Sequence, residues 1–470
     1  MSSGTTAGPH GISISRSPDR KTPVVPIYTL VWLRIALGIL GAGDILGNGI
    51  YYHWYLDSFS GFTFRYFGFE WVHPLPEPFL SLFFIVGFGL GIAVALGWRF
   101  RITAPLFALA FTYLFLLEKA HYLNHAYLFA WLAWLLAFSP AWREWSLDVR
   151  RDPSQWTPAV PKWDVYVFPL LMGLVYFFGG INKINHDWLI EAMPLHMWLE
   201  RRESMPILGP LFALKETAYV MAWGGMLLDL LCPFMLIHRR LRWVALGFLI
   251  LFHATNHLIF NIGIFPYLSM VLTSMFFAPD WPLRLVKWLA ARSKRIRRWR
   301  DGWVACVAHQ LPAGVSSLFG SQYRGIALAS LVLLHVFLPL RNYLFASDVN
   351  WSEEGHRYSW RMMLRSKQGK GDYRLVDRET GAVTLIEPAD SLDRRQYYKM
   401  CTHPDMILQY AHHLRDQRAS VGQDVAVYGD FTVRLNGRRY QQFIDPSVDL
   451  ARTEWSWMTT KPWVLPEARE

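Results

Sequence analysis

The run Asp164-Val165-Tyr166-Val167-Phe168-Pro169-Leu170-Leu171-Met172-Gly173-Leu174-Val175-Tyr176-Phe177-Phe178-Gly179-Gly180-Ile181-Asn182, followed at once by Lys183-Ile184-Asn185-His186-Asp187-Trp188, decides how this chain folds. Its apolar part is close to the ~20 residues that cross a bilayer as a helix. Lys183 stands at the end of that run. An ammonium is costly at membrane depth, so an ionisable residue there is a functional candidate. Burial disfavours the charged form of an amine, and a neutral amine is a base. A lysine at a helix end also has a plainer use, in which its stem lies in the hydrocarbon and the ammonium reaches the headgroups.

The rest of the chain has the same character. Of 470 residues, 53% are hydrophobic and 16% aromatic, which fits a multi-pass membrane protein with an appended soluble part. The formal charge of +11 would suggest nucleic acid in a soluble chain. Here the basic residues cluster in short loops between apolar runs, as topology signals and headgroup contacts. The bilayer is therefore the expected partner, and nucleic acid is not. Cys232, Cys306 and Cys401 make no disulfide framework. Residues 1–26 are polar and rich in Pro and Ser, which predicts a disordered tail without a cleavable signal peptide.

Nine apolar segments are predicted to span the membrane, at about 27–46, 79–98, 102–118, 126–142, 164–182, 217–237, 242–259, 264–278 and 324–345. The tail carries Arg16, Arg20 and Lys21. The second, fourth, sixth and eighth loops are also basic, the last through Arg292-Ser293-Lys294-Arg295-Ile296-Arg297-Arg298. The positive-inside rule places all of these in the cytoplasm. The odd loops, with Asp57, Glu70 and Glu77 in the first, then fall outside, and so does the part after residue 345. The predicted fold is an α-helical multi-pass domain over 27–345 followed by a mostly β extramembrane domain over 346–470. In the latter, residues 372–386 read as two strands around a Gly turn. Residues 431–440 read as a hairpin, since Asn436-Gly437 suits a two-residue primed turn. A helix is expected over about 403–418.

Three clusters fall on the outer side by this topology. The first is the Lys183 segment. The second is Glu118-Lys119-Ala120-His121-Tyr122-Leu123-Asn124-His125. The third runs from Phe252-His253 through Asn256 and His257 to Phe265-Pro266-Tyr267. A lysine, several histidines and two asparagines at one end of a helix bundle would make a polar pocket with an apolar wall, suited to a lipid-soluble ring with polar substituents. Taken singly, each His also serves to satisfy backbone groups at a helix end, and each Asn to cap one.

Together these segments resemble the vitamin K-dependent γ-glutamyl carboxylase family, also described as the horizontally transferred transmembrane domain. Residues 176–188 look like the family segment ending in Lys-Lys-Leu-Asp-Ala-Asp-Trp, with Lys183 on its base lysine. Asn124-His125, followed by Tyr127-Leu128, matches Asn-His-x-Tyr-Leu. Phe252-His253, Asn256 and Phe260-x-Ile262-Gly263-x-Phe265-Pro266-Tyr267 match another stretch. Tyr358-Ser359-Trp360-x-Met362-Met363 and Phe443-Ile444-Asp445-Pro446-x-Val448-Asp449 resemble blocks of the lumenal domain.

The resemblance implies a concrete chemistry. A neutral lysine deprotonates a reduced vitamin K or menaquinone-type quinol, which reacts with O2 and ends as an epoxide. The strong base formed on the way removes a glutamyl γ-proton, and CO2 adds to the carbanion. It implies Lys183, Asn124 and His125 as catalytic residues, and His253, Asn256, Phe265 and Tyr267 around the quinol. It implies Tyr358, Ser359 and Trp360 at a glutamyl protein or peptide substrate. A quinone-epoxide reductase is the implied partner, and a bacterial inner membrane with a periplasmic site is the implied location. No metal is expected.

The chain also departs from the family pattern. Arg361 stands where the animal pattern has an acid, and Arg365 and Lys367 replace a His and an Arg. No cysteine lies in 47–78 to tie the first outer loop to the lumenal domain. Two other readings stay open. His121/His125 and His253/His257 are His-x-x-x-His pairs that would face one side of a helix, and His412-His413 adds a pair, as a di-metal oxygenase would need. A membrane scaffold or folding factor could keep the fold without the chemistry.

Overall fold

A computed structural model of the chain describes residues 23–59, 61–260, 262–311, 321–457 and 459–468. Most of the predicted tail lies outside these residues. Its last residues are not disordered: Val24–Pro26 (β1) pairs antiparallel with Ala159–Pro161 (β2).

A helix coincides with each predicted apolar segment. They are α1 (Tyr28–Phe59), α2 (Phe79–Leu96), α3 (Phe100–Leu116), α4 (Asn124–Ala137), α5 (Lys162–Asn182), α6 (Lys215–Ile237), α7 (Leu241–Ile259) and α8 (Phe265–Ser274). Two amphipathic helices follow, α9 (Trp281–Arg292) and α10 (Lys294–Val307), and then α11 (Ser321–Leu340). Among the described residues, five stretches are long and apolar enough to cross a membrane: Tyr28–Asn48, Phe79–Leu96, Lys162–Asn182, Lys215–Ile237 and Gly325–Leu344. These coincide with five of the nine expected spans; α3, α4, α7 and α8 fall short of that length or hydropathy. The 10-residue α8 rises only about 15 Å, half the hydrocarbon thickness. Arg242, His253, Asn256 and His257 make α7 too polar to qualify by hydropathy. Short helices persist because neighbours cover their backbone ends; in α4, Leu128, Phe129, Leu132 and Leu136 are fully buried.

The two ends of the bundle collect different loops. At one end Thr29 N donates to Pro279 O, Asp148 N to Gly97 O and Ile27 N to Pro158 O, and Trp145 packs on Trp299. These contacts join the tail to the second, fourth and eighth loops. At the other end Lys119 N donates to Phe64 O and Asn182 Nδ2 to Ser359 O. There the first, third and fifth loops meet the C-terminal part.

That part holds β3 (Lys367–Asp377), β4 (Val383–Ile386), then α12 (Arg394–Met400), α13 (Pro404–Ala419), β5 (Val425–Leu435) and β6 (Gln441–Gln442). The sheet is antiparallel in the order β4-β3-β5-β6. Alternate residues of β5 turn inward, so Val427, Phe431 and Val433 meet Met406 and Ile407 of α13 in one core. With its helices and irregular segments this part is mixed rather than mostly β. The hairpin around Gly381 forms as predicted. The second hairpin is wider than predicted. Asn436 and Gly437 do take positive φ, 50° and 82°, but β6 begins only at Gln441, whose partner on β5 is Val433.

The cysteines are free, and the first outer loop is held without one. Phe62 packs on Tyr410 and His413. Glu118 Oε2 accepts from Phe64 N at 3.1 Å and from Gln396 Nε2 of α12 at 2.8 Å.

Candidate active site

Helix α5 ends in Gly179-Gly180, and these glycines decide what faces Lys183. A Cβ on Gly180 would lie 2.7 Å from Leu230 N and 2.9 Å from Leu230 Cα, so only glycine lets α6 approach this closely. The approach brings Asp229 of α6 to Lys183. Its Oδ2 lies 2.5 Å from Lys183 Nζ, with both side chains at least nine-tenths buried. The same Nζ lies 3.3 Å from Gly179 O and 5.8 Å from the centre of the Trp188 ring.

This ion pair lies in the wall of a cavity of about 590 Å³. Tyr176, Phe252, Phe260 and Phe265 form its apolar side. His125 and Asn256 line it as well. Among the described residues neither side chain makes a hydrogen bond within the chain, which leaves both to a ligand. The His125 ring lies flat beside Phe265, centroids 6.0 Å apart. Asn124 lines the cavity too, but its amide is engaged: Nδ2 donates to Arg361 O at 3.3 Å and Oδ1 accepts from Tyr122 OH at 3.0 Å.

The other predicted residues are not brought into the cavity. His253 is one layer behind, where its Nε2 meets Tyr176 OH at 3.1 Å, and that hydroxyl lies 3.2 Å from Thr273 Oγ1. Tyr267 is 52% exposed and packs against His257 on the outside of the bundle. Ser359 is fully buried, with Oγ in reach of Leu338 O and Gly355 O as alternative acceptors for its one proton. Trp360 is buried against Tyr127 and His335. Tyr358 faces a different cavity altogether.

The outer end of the cavity is instead cationic. Arg357, Arg361, Arg365, Arg395 and Lys399 line it with His356 and His403. Burial pulls Arg361 down to about 10. Burial, then the charge of Arg365, pulls Lys399 down to about 8. Burial first and neighbouring arginines second keep His356 and His403 far below the usual imidazole range. Behind Arg357 and Lys119 stands Asp405. Burial opposes its ionisation, but Arg357 at 2.6 Å and Lys119 at 2.7 Å outweigh that and hold its carboxyl well below the usual range.

The Lys183 segment is clamped by the sheet. Asn436 Nδ2 donates to Asp187 Oδ2 at 2.6 Å, and Arg438 pairs with Asp187 Oδ1 at 2.6 Å. Asn436 also exchanges two hydrogen bonds with the main chain of Ser366.

His121 is on a single 3-10 turn, Lys119–His121, and α4 starts afresh at Asn124, so His121 and His125 share no helix face. Among the described residues one trio, His186, Asp187 and Glu191, brings three ligand atoms within 4.8 Å. Arg438 already pairs with both of its carboxylates.

Asp229, Arg357, Arg395 and Lys399 were absent from the sequence-derived site. An acid inside the apolar run 217–237 was the available signal for Asp229; nothing local marked the cations of α12.

Two families match the chain. The HTTM domain covers residues 24–281, and the lumenal domain of the vitamin K-dependent gamma-carboxylase covers residues 321–470. No solved structure matches. One match covers most of the helical bundle and the other the sheet that closes the cavity, and the chain belongs to the vitamin K-dependent gamma-carboxylase family.

Proposed function

We propose that this carboxylase-like membrane protein oxygenates a reduced naphthoquinone in the Lys183 cavity and uses the energy to carboxylate a glutamyl side chain held by the cations above. By the loop charges the site faces away from the cytoplasm, and the family resemblance makes that the periplasmic side of a bacterial inner membrane in this reading. The observation that carries the reading is Lys183 Nζ, 2.5 Å from Asp229, in a cavity that His125, Asn256 and Phe265 also line.

The residues fit the implied quinol. A cavity of about 590 Å³ is within the ordinary range for small-molecule sites. Its aromatic side suits a flat ring, and two polar side chains without partners suit hydroxyl oxygens. When bound, the quinol supplies the oxidation by O2 that generates a base stronger than any side chain.

The protein's own part is to move one proton and to hold charge. A proton passed from Lys183 Nζ to Asp229 Oδ2 leaves a neutral amine without changing the net charge of the pair. That amine can accept the proton of a quinol hydroxyl. His125 and Asn256 can donate to the oxygen where negative charge develops. Tyr176, fixed by His253 and Thr273, limits where the ring lies. Arg361, Arg365 and Lys399 can hold a substrate carboxylate.

Lys183→Ala, purified in lipid nanodiscs and given menaquinol-type substrate and O2, should lose epoxide formation by roughly 100-fold or more. An unchanged rate would remove Lys183 from the mechanism.

A further inference from the structure

Helices α9 and α10 follow one another at the basic end of the bundle, and the chemistry proposed above does not use them. Both are anchored. Trp281 of α9 meets the Trp32 ring of α1 edge-on at 5.6 Å, and Thr29 N donates to Pro279 O just before α9. Trp303 and Val307 of α10 pack with Val149 and Trp156 of the fourth loop. At the junction, Arg297 donates back to Ala290 O and Ala291 O, at 3.1 and 3.2 Å. The pair is therefore fixed in place, and so is the face it turns away from the bundle.

That face mixes groups that no single solvent suits. On α9, Leu285 is 44% and Trp288 52% exposed. They lie one turn apart, beside the exposed Arg284 and Arg292. The Arg292 guanidinium stands 3.9 Å from the centre of the Trp288 ring. On α10, Val307 is buried and Ile296 and Trp303 partly so, while Lys294, Arg295 and Arg298 are exposed. Water would leave Leu285 and Trp288 wet, and hydrocarbon would strand the cations. The headgroup layer of a bilayer accepts both.

The charge is one-sided as well. Residues 280–307 hold eight Lys and Arg against two acids, Asp280 and Asp301. Both acids are already paired, with Arg284 at 2.9 Å and with Arg300 at 2.7 Å. Among the described residues, Lys294, Arg295 and Arg298 pair with no carboxylate.

We propose that this face binds anionic phospholipid in the adjacent leaflet, with Leu285 and Trp288 entering the headgroup layer and Lys294, Arg295 and Arg298 holding phosphates. Cations alone would satisfy a topology signal. The exposed ring and leucine on the same fixed face are what a lipid surface adds, and what a soluble acidic chain would not need. The site goes beyond the quinol chemistry and does not depend on it.

The test uses full-length protein. In detergent with equal amounts of dioleoyl phosphatidylglycerol and phosphatidylcholine, native mass spectrometry counts the lipids retained. We expect phosphatidylglycerol to be favoured by at least about tenfold. The triple variant Lys294→Gln, Arg295→Gln, Arg298→Gln should lose about fivefold or more of that preference. Its melting temperature in phosphatidylcholine nanodiscs should be unchanged or raised, because Lys294 and Arg295 sit at the positive end of α10. Arg239→Gln with Arg240→Gln, in the sixth loop, should keep the preference. Depth is read with 5-fluorotryptophan in phosphatidylglycerol nanodiscs, the Trp288 resonance being assigned by its loss in Trp288→Phe. A nitroxide on the lipid headgroup should broaden that resonance more than one at the chain end. Equal retention of the two lipids, an undiminished preference in the triple variant, or an equal fall in the sixth-loop variant would each overturn the proposal. So would a Trp288 resonance untouched by the headgroup label, or displacement of phosphatidylglycerol by poly-glutamate, which would make the occupant an acidic polypeptide.

Discussion

Replacing Asp229 with Asn tests the arrangement at its centre. Lys183 Nζ and Asp229 Oδ2 are 2.5 Å apart, with side chains 7% and 5% exposed, so solvent screens the pair very little. Removing one partner of a buried ion pair costs about 3–5 kcal/mol, because the other charge is left without compensation. In Asp229→Asn the ammonium would face the Gly179 carbonyl, 3.3 Å away, and a neutral amide in place of the carboxylate. Lys183→Met should cost a similar amount by leaving the carboxylate alone. In the double variant neither charge remains, so its loss should fall short of the sum by about 2–3 kcal/mol or more. Unfolding titrations in mixed micelles measure all corners of this cycle. Epoxide formation per folded molecule separates packing from chemistry: if Asp229 only holds the fold, that rate is unchanged, and if it moves the proton, kcat falls while KM stays. A loss under about 1 kcal/mol for Asp229→Asn, with additive single effects, would refute the pairing itself.

Other consequences are more local. Gly180→Ala places a methyl against the backbone of Leu230; separating α5 from α6 should cost about 1–3 kcal/mol and lower activity, and a wild-type melting curve with full activity would contradict the close approach. Asn436→Ala removes the contacts to Asp187 and Ser366. It should cost about 1–3 kcal/mol and speed hydrogen exchange across 184–189, and unaltered exchange there would argue against the clamp. Lys399, pulled down to about 8 by burial and then by Arg365, is cationic below that pH and neutral above it. A bound carboxylate favours the cation, so affinity for a glutamyl peptide should be full near pH 7 and fall as pH passes about 8. Lys399→Gln should bind more weakly near pH 7 and lack this step; a native profile that stays flat through about pH 9 would remove Lys399 from the site.

Hydropathy made the bundle legible, because apolar runs and the basic loops between them are one-dimensional signals. The alternation of loop charge is reproduced by the gathering of the tail and the second, fourth and eighth loops at one end. Span length was less legible, since the backbone ends of α8 are covered by neighbours that no local pattern announces. Within the site, Lys183, His125, Asn256 and Phe265 converge as the sequence suggested. The block 358–360 does not, for a specific reason. Tyr358, Trp360 and Met363 have positive φ of 65°, 57° and 53°, the left-handed region that such residues rarely adopt. The chain therefore turns at nearly every second residue. Arg357 reaches both cavities, Tyr358 faces the outer one, Ser359 and Trp360 go into the core, and Arg361 returns to the cavity of Lys183. No periodicity in the sequence encodes that path.

The asparagines matter in a way that their reading as ligands did not anticipate. Asn124 holds Arg361 O, Asn182 holds Ser359 O, and Asn436 holds Asp187. Each ties an outer loop of the bundle to the sheet-bearing part, and each tie ends within a few residues of Lys183 or Arg361. The bundle alone would leave the amine under an open mouth, and the sheet alone would carry cations with no buried amine beneath them. Because the ties run through main-chain carbonyls and one buried carboxylate, they fix the height of the cations above the amine without using any side chain that the chemistry needs. His125 and Asn256 stay uncommitted for the same reason. The division of labour between asparagines that bridge and polar groups that wait is what allows one cavity to present a buried lysine at its apolar end and a ring of cations at the other.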